Sequence, residues 1–143
     1  MDPADPHNVQ RFVDAQHGVF AQALAELRAG SKQSHWMWFV FPQLAGLGRS
    51  PTARFFGFAA LDDARAYLLH PLLGPRLRQC VEALLNWAGE RSADEVLGAV
   101  DAMKLRSSLT LFDLVEPGGI FERGLVEFFG GRRDELTLAL LDE

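Results

Sequence analysis

Apolar residues return every third or fourth position along almost the whole chain, and this period constrains the fold more than any other feature. Between Val9 and Ala29 they fall at Phe12, Val19, Phe20, Ala23, Leu24 and Leu27, the spacing of one amphipathic helix, with Gly30 where a C-terminal glycine belongs. Ser50-Pro51 reads as an N-cap followed by proline at the first helical position. Asp62 is placed to cap a short helix through Tyr67-Leu68-Leu69. Pro75 opens a helix with Leu77, Cys80, Val81, Leu84 and Leu85 on one face, and Ser92-Ala93-Asp94-Glu95 is a capping box. Ala102 to Val115 carries Leu105, Leu109 and Phe112 on one stripe, and Ile120 to Phe129 and Leu136 to Leu141 close the chain. Alternation of period two is confined to stretches as short as Leu109 to Leu111. The pattern predicts an all-α chain without a sheet, a single compact multihelical domain over residues 1–143 with about six to eight helices, and an extended or disordered N-terminus over about residues 1–7.

The chain has 143 residues, enough to bury a core without a disulfide or a metal. Its single cysteine, Cys80, sits on an apolar helical stripe and reads as a core thiol. The N-terminus has neither a basic start nor an apolar stretch, and the longest apolar run, Trp36 to Phe41, is too short to span a bilayer. These features predict a cytoplasmic protein with no membrane partner. Twelve arginines against two lysines, Lys32 and Lys104, suggest a GC-rich genome. The net charge of −5 makes general nucleic-acid binding a poor expectation, because such binding neutralises phosphates. Leu44-Ala45-Gly46-Leu47-Gly48 does have the Gly-hydrophobic-Gly form of a helix-hairpin-helix turn. Arg49-Ser50-Pro51-Thr52 displaces the alanine that should follow, so the segment reads as a tight glycine turn into the helix that starts at Ser50-Pro51.

None of the familiar nucleophile-elbow, phosphate-loop, dinucleotide or metalloprotease motifs is present. The four histidines, His7, His17, His35 and His70, lack helical metal-ligand spacing, so neither a metal nor a cofactor is expected. Three features stand out instead. Residues 27–61 contain no acid but carry Arg28, Lys32, Arg49, Arg54 and His35. Residues 36–58 hold seven aromatics: Trp36, Trp38, Phe39, Phe41, Phe55, Phe56 and Phe58. Polar residues also interrupt apolar helices, Gln16 in the first and Lys104, Ser107, Ser108 and Thr110 in a later one. Cations and hydroxyls could hold a phosphate while aromatic faces stack on a ring. The same residue types also serve as buried structural groups, so each carries both readings.

The strings Phe12-Val13-Asp14-Ala15-Gln16, Ser34-His35-Trp36-Met37-Trp38-Phe39-Val40-Phe41-Pro42-Gln43-Leu44, Gly46-Leu47-Gly48-Arg49-Ser50, His70-Pro71-Leu72-Leu73-Gly74 and Lys104 to Phe112 resemble the bacterial domain-of-unknown-function family 1810. The resemblance runs from about Asn8 to Leu141 and departs at Leu109, where methionine is expected. It implies a small cytosolic helical protein and no particular reaction. The calpastatin label that some members carry fits poorly, since a calpain inhibitor is long and disordered. A more remote likeness, to the NADAR group linked to NAD and ADP-ribose, rests on the order of an aromatic-histidine segment and a later lysine-bearing helix.

These readings define one candidate site: a cleft among the Gln16 face, the Ser34–Gln43 segment and the Lys104–Thr110 helix. It would bind or hydrolyse a nucleotide-like, phosphate-bearing small molecule, with an ADP-ribose derivative as the specific expectation. Lys104 and Arg106 would hold phosphate, Ser107, Ser108 and Gln16 would add hydrogen bonds, and Trp36 or Trp38 would stack on a ring. His35 would transfer a proton and Gln43 orient water. The alternative is a non-catalytic module that binds a protein through the aromatic 35–44 segment.

Overall fold

The computed structural model describes residues 3–142, and among them there is no strand. Ten α-helices are present: α1 (Gln10–Gln16), α2 (Phe20–Arg28), α3 (Met37–Val40), α4 (Pro51–Phe56), α5 (Leu61–Leu69), α6 (Leu73–Leu85), α7 (Ala93–Leu97), α8 (Ala99–Val115), α9 (Ile120–Phe129) and α10 (Glu135–Leu141). Among the described residues extended pairing is limited to one bridge, where Phe58 N–H donates to Gln43 O and Ala45 N–H to Phe58 O, both at 2.9 Å.

Two helices more than the upper expectation arise from identifiable causes. The single helix read over Val9–Ala29 is two, because Gly18 takes φ +75° between them, a left-handed conformation that interrupts the ladder. Short turns such as α3, four residues long, are too brief to leave a periodic signature. The start of α5 also differs from the reading at Asp62. It is Asp63 that caps, its carboxylate accepting from the backbone N–H of Ala59 at 2.8 Å and of Ala60 at 3.3 Å. Other caps form as read. Ser50 accepts from Ala53 N–H, Ser92 and Glu95 close a reciprocal box, and Gly30 ends α2 in a left-handed turn. Of the segment read as extended or disordered, Met1 and Asp2 lie outside the described residues. Asp5 accepts from Val9 and Gln10 N–H at the start of α1, and His7 meets Asp63 at 2.7 Å.

α8 is the central helix. Its residues Ser107 to Asp113 are all buried, with α5, α7, α9 and α10 packed against it. The core around it is aromatic. Phe12, Phe58, Tyr67, Phe112 and Phe121 form a continuous chain of ring contacts with centroids 5.1–6.1 Å apart, Phe12 meeting Tyr67 edge-on. Such rings bury large apolar areas and favour tilted or edge contacts. Cys80 lies within the core, where burial pushes its thiol up to about 12.

The loop after α2 is organised by a buried charge. The Glu26 carboxylate, 4% exposed as a residue, accepts from Gln33 N–H (2.7 Å), Ser34 N–H (3.0 Å), Ser34 Oγ (2.6 Å), Trp36 Nε1 (2.9 Å) and Gln22 Nε2 (2.8 Å). Burial pushes the carboxyl up, but the combined hydrogen bonds overcome it and hold Glu26 far below the usual carboxylate range. The depressed value stabilises the fold at pH above the ordinary value near 4.5, and that contribution is lost as pH falls below it. Glu26→Gln turns one acceptor oxygen into a donor facing donors and removes the charge. It should cost about 3–5 kcal/mol in urea unfolding at neutral pH. The difference from wild type should shrink as the solution is acidified below pH 4.5. A variant of wild-type stability would contradict this assignment.

Candidate functional site

The polar residues of α8 divide by the face they occupy. Ser107 Oγ lies 3.1 Å from Asp134 Oδ2 and 3.2 Å from Met103 O, while Thr110 Oγ1 donates to Arg106 O and accepts from Asp134 N–H. Asp134 also caps α10, accepting from Thr137 N–H at 3.1 Å and Thr137 Oγ1 at 2.6 Å. Arg106 Nη2 donates to Arg133 O at 3.0 Å, and Arg133 pairs with the fully buried Asp113. Polar clamps therefore fasten α10 to α8. Leu140 of α10 rests against Gly46, where an added Cβ would come within 3.3 Å of both Leu140 methyl carbons.

Between these parts lies a concavity of about 220 Å³ lined by Gln43, Leu47, Val100, Met103, Lys104, Arg106, Ser107, Asp134 and Leu136. Four of the residues singled out in the sequence, Gln43, Lys104, Arg106 and Ser107, thus share one wall. Val100, Met103 and Leu136 form an apolar rim, each about 70% exposed. Lys104 Nζ sits 3.9 Å from the centroid of the half-buried Trp38 ring, a cation–π contact, and 3.1 Å from Asp101 Oδ1. Asp101 Oδ2 meets Lys32 Nζ at 2.8 Å, and Lys32 in turn lies over Trp36 at 5.2 Å. Among the described residues nothing bonds to the buried Nε of Arg106.

The other candidates lie apart from this wall. Gln16 is buried, donating to Phe39 O at 2.8 Å and contacting Tyr67 Oη at 3.0 Å, while its oxygen accepts from Arg76. It locks α1 to α3 and α6. Trp36 is fully buried against the Glu26 carboxylate. Ser108 is buried too, and among the described residues its Oγ has no hydrogen-bond partner. His35 is exposed and is not part of the cavity wall. Within the 35–44 segment Trp36, Met37, Val40, Phe41, Gln43 and Leu44 are buried, so most of its surface faces the core. Gly46 and Leu47 belong to a 3-10 turn, Ala45–Leu47, and Gly48 follows it in extended conformation toward the Ser50 cap. Among the described residues no group of three His, Cys, Asp or Glu is arranged for a metal, and no helix is long and apolar enough to cross a membrane.

Asp134 in the wall, Asp101 beside Lys104 and Glu26 away from the cavity all escaped the sequence reading. Asp101 was visible as the acid three residues before Lys104, and Asp134 as a capping acid before an apolar run with Thr137 at the third position. Glu26 left no such local signal. Removing the cap tests the clamp: Asp134→Ala should lower stability by about 1–2 kcal/mol and speed amide exchange across α10 while α8 stays protected. Unchanged exchange in α10 would mean that packing alone holds it.

Comparison with known proteins adds lineage. A family model described as a protein of unknown function (DUF1810) matches residues 6–141. Among solved structures, the chain is similar to a conserved hypothetical protein from Mycobacterium tuberculosis, determined by crystallography. The two are 47% identical with a TM-score of 0.93, over 97% of this chain and 99% of that one. No curated protein matches.

Proposed function

The chain belongs to the DUF1810 family, a family of unknown function, and we propose that its groove between α8, α10 and the 43–47 turn binds a phosphate-bearing small molecule. One observation carries this reading: Gln43, Lys104, Arg106 and Ser107 line the same concavity. Lys104 and Arg106 supply positive charge to an anion. Gln43 and the Ser107 hydroxyl add hydrogen bonds. Val100, Met103 and Leu136 suit the apolar face of a ring.

The volume sets the scale of the occupant. About 220 Å³ is below the roughly 300–1,000 Å³ that encloses a drug-sized molecule. An ADP-ribose derivative, the specific ligand proposed, would seat one phosphate and its sugar, leaving the rest along the apolar rim. Binding is supported better than hydrolysis, because His35 lies outside the wall and the carboxylate inside it, Asp134, is engaged in capping α10. The reading takes the protein as cytoplasmic, where such nucleotides are found. The protein-docking alternative would use a segment whose aromatic surface is mostly core.

Thermal unfolding against ADP-ribose and inorganic pyrophosphate tests the proposal. A ligand at about 100 times its Kd stabilises by roughly 2.7 kcal/mol, which raises the midpoint by several degrees. The shift should appear in wild type and vanish in folded Lys104→Ala. A midpoint insensitive to both compounds at millimolar concentration would refute it.

A further inference from the structure

We infer that Lys32 is a positioning residue for this groove: by holding Asp101, it leaves Lys104 as the surplus cation available to an incoming anion. The inference rests on the reading of the groove as an anion site. The geometry is an asymmetric triad. One carboxylate faces two ammonium groups, Lys32 at 2.8 Å on Oδ2 and Lys104 at 3.1 Å on Oδ1. The three charges sum to +1. Only Lys104 lines the cavity, whereas Lys32 lies outside that wall with its side chain just 9% exposed.

Each lysine is held where it stands. Lys32 N–H donates to Val96 O at 2.8 Å, fixing the loop on α7, and its ammonium rests over Trp36. Trp36 is fixed by Glu26. Lys104 lies over Trp38. Burial alone would push the Asp101 carboxyl up, but hydrogen bonds from Lys32 and then Lys104 hold it below its ordinary value. An anion can therefore draw Lys104 away without stranding a half-buried carboxylate, because Lys32 remains. Without Lys32, Lys104 would be the remaining partner of Asp101, and taking it would leave that carboxylate alone at a cost in desolvation.

The chain has two lysines, which makes the test clean. Acetylation of Lys104 by sulfo-N-hydroxysuccinimide acetate is timed by peptide mass spectrometry in wild type, Lys32→Met, Asp101→Asn and the double variant. Lys32→Met should slow the labelling of Lys104 by about fivefold, the scale of one ion pair no longer shared. Asp101→Asn should accelerate it, and the double variant should label at least as fast as wild type. A purely structural role for Lys32 predicts the opposite sign, since loosening the fold exposes Lys104. Equal or faster labelling of Lys104 in Lys32→Met, or in Lys32→Gln should the first variant unfold, with helical circular dichroism matching wild type, would overturn the inference. Inorganic phosphate is then added to wild type. If it fails to protect Lys104 while the variant pattern holds, the anion-site reading falls and the role of Lys32 in freeing Lys104 stands.

Discussion

The Glu26 carboxylate is the interaction on which the rest of the arrangement depends. An ionised group with 4% residue exposure is tolerated only when its oxygens are filled, and here five donors fill them. Four of those donors belong to Gln33, Ser34 and Trp36, in a loop that has no regular ladder of its own. The charge at the end of α2 thus dictates the path of the chain into α3. Lys32 and Trp36 are placed by that path, Asp101 is gathered by Lys32, and Lys104 completes the line over Trp38. Packing of the aromatic core sets where the helices lie, and this polar line sets which charges reach the groove.

Much of this was legible in the sequence. The helical period, the Ser50 and Ser92 caps and the terminal Gly30 are local signals, and local physics decides them. The break at Gly18 was hidden because the residues on either side continue an acceptable period; only the left-handed turn shows where the first helix ends. The buried polar residues of α8 were legible as a group but not by role. Ser107 lines the cavity while also clamping α10, and its neighbour Ser108 lies in the core, one helical step away. Spacing cannot separate them, because the two faces differ only in what packs against them. Glu26 carries no local signal in the sequence that sets it apart from the other acids. Its significance arises from a loop folding back over it, which is a tertiary event. The acid-free window beginning at residue 27 is, in this light, a stretch whose nearest carboxylate lies just before it and is fully engaged.

The groove shares part of its wall with the contacts that fasten α10 to α8. Ser107, Arg106 and Asp134 belong both to the cavity wall and to the clamps that hold α10. A ligand that engages Arg106 or Ser107 therefore acts on the same groups that fix the C-terminal helix, and its affinity is linked to how firmly that helix is docked. The family match covers residues 6–141 and the mycobacterial structural relative 97% of this chain, so the helical fold is shared over nearly its whole length.

The most direct measurement is a crystal structure of the protein grown with ADP-ribose. The account predicts a phosphate between Lys104 and Arg106, within hydrogen-bond distance of Gln43 or Ser107, with Asp101 remaining on Lys32. A phosphate bound elsewhere on the molecule, or an empty groove at saturating ligand, would contradict it.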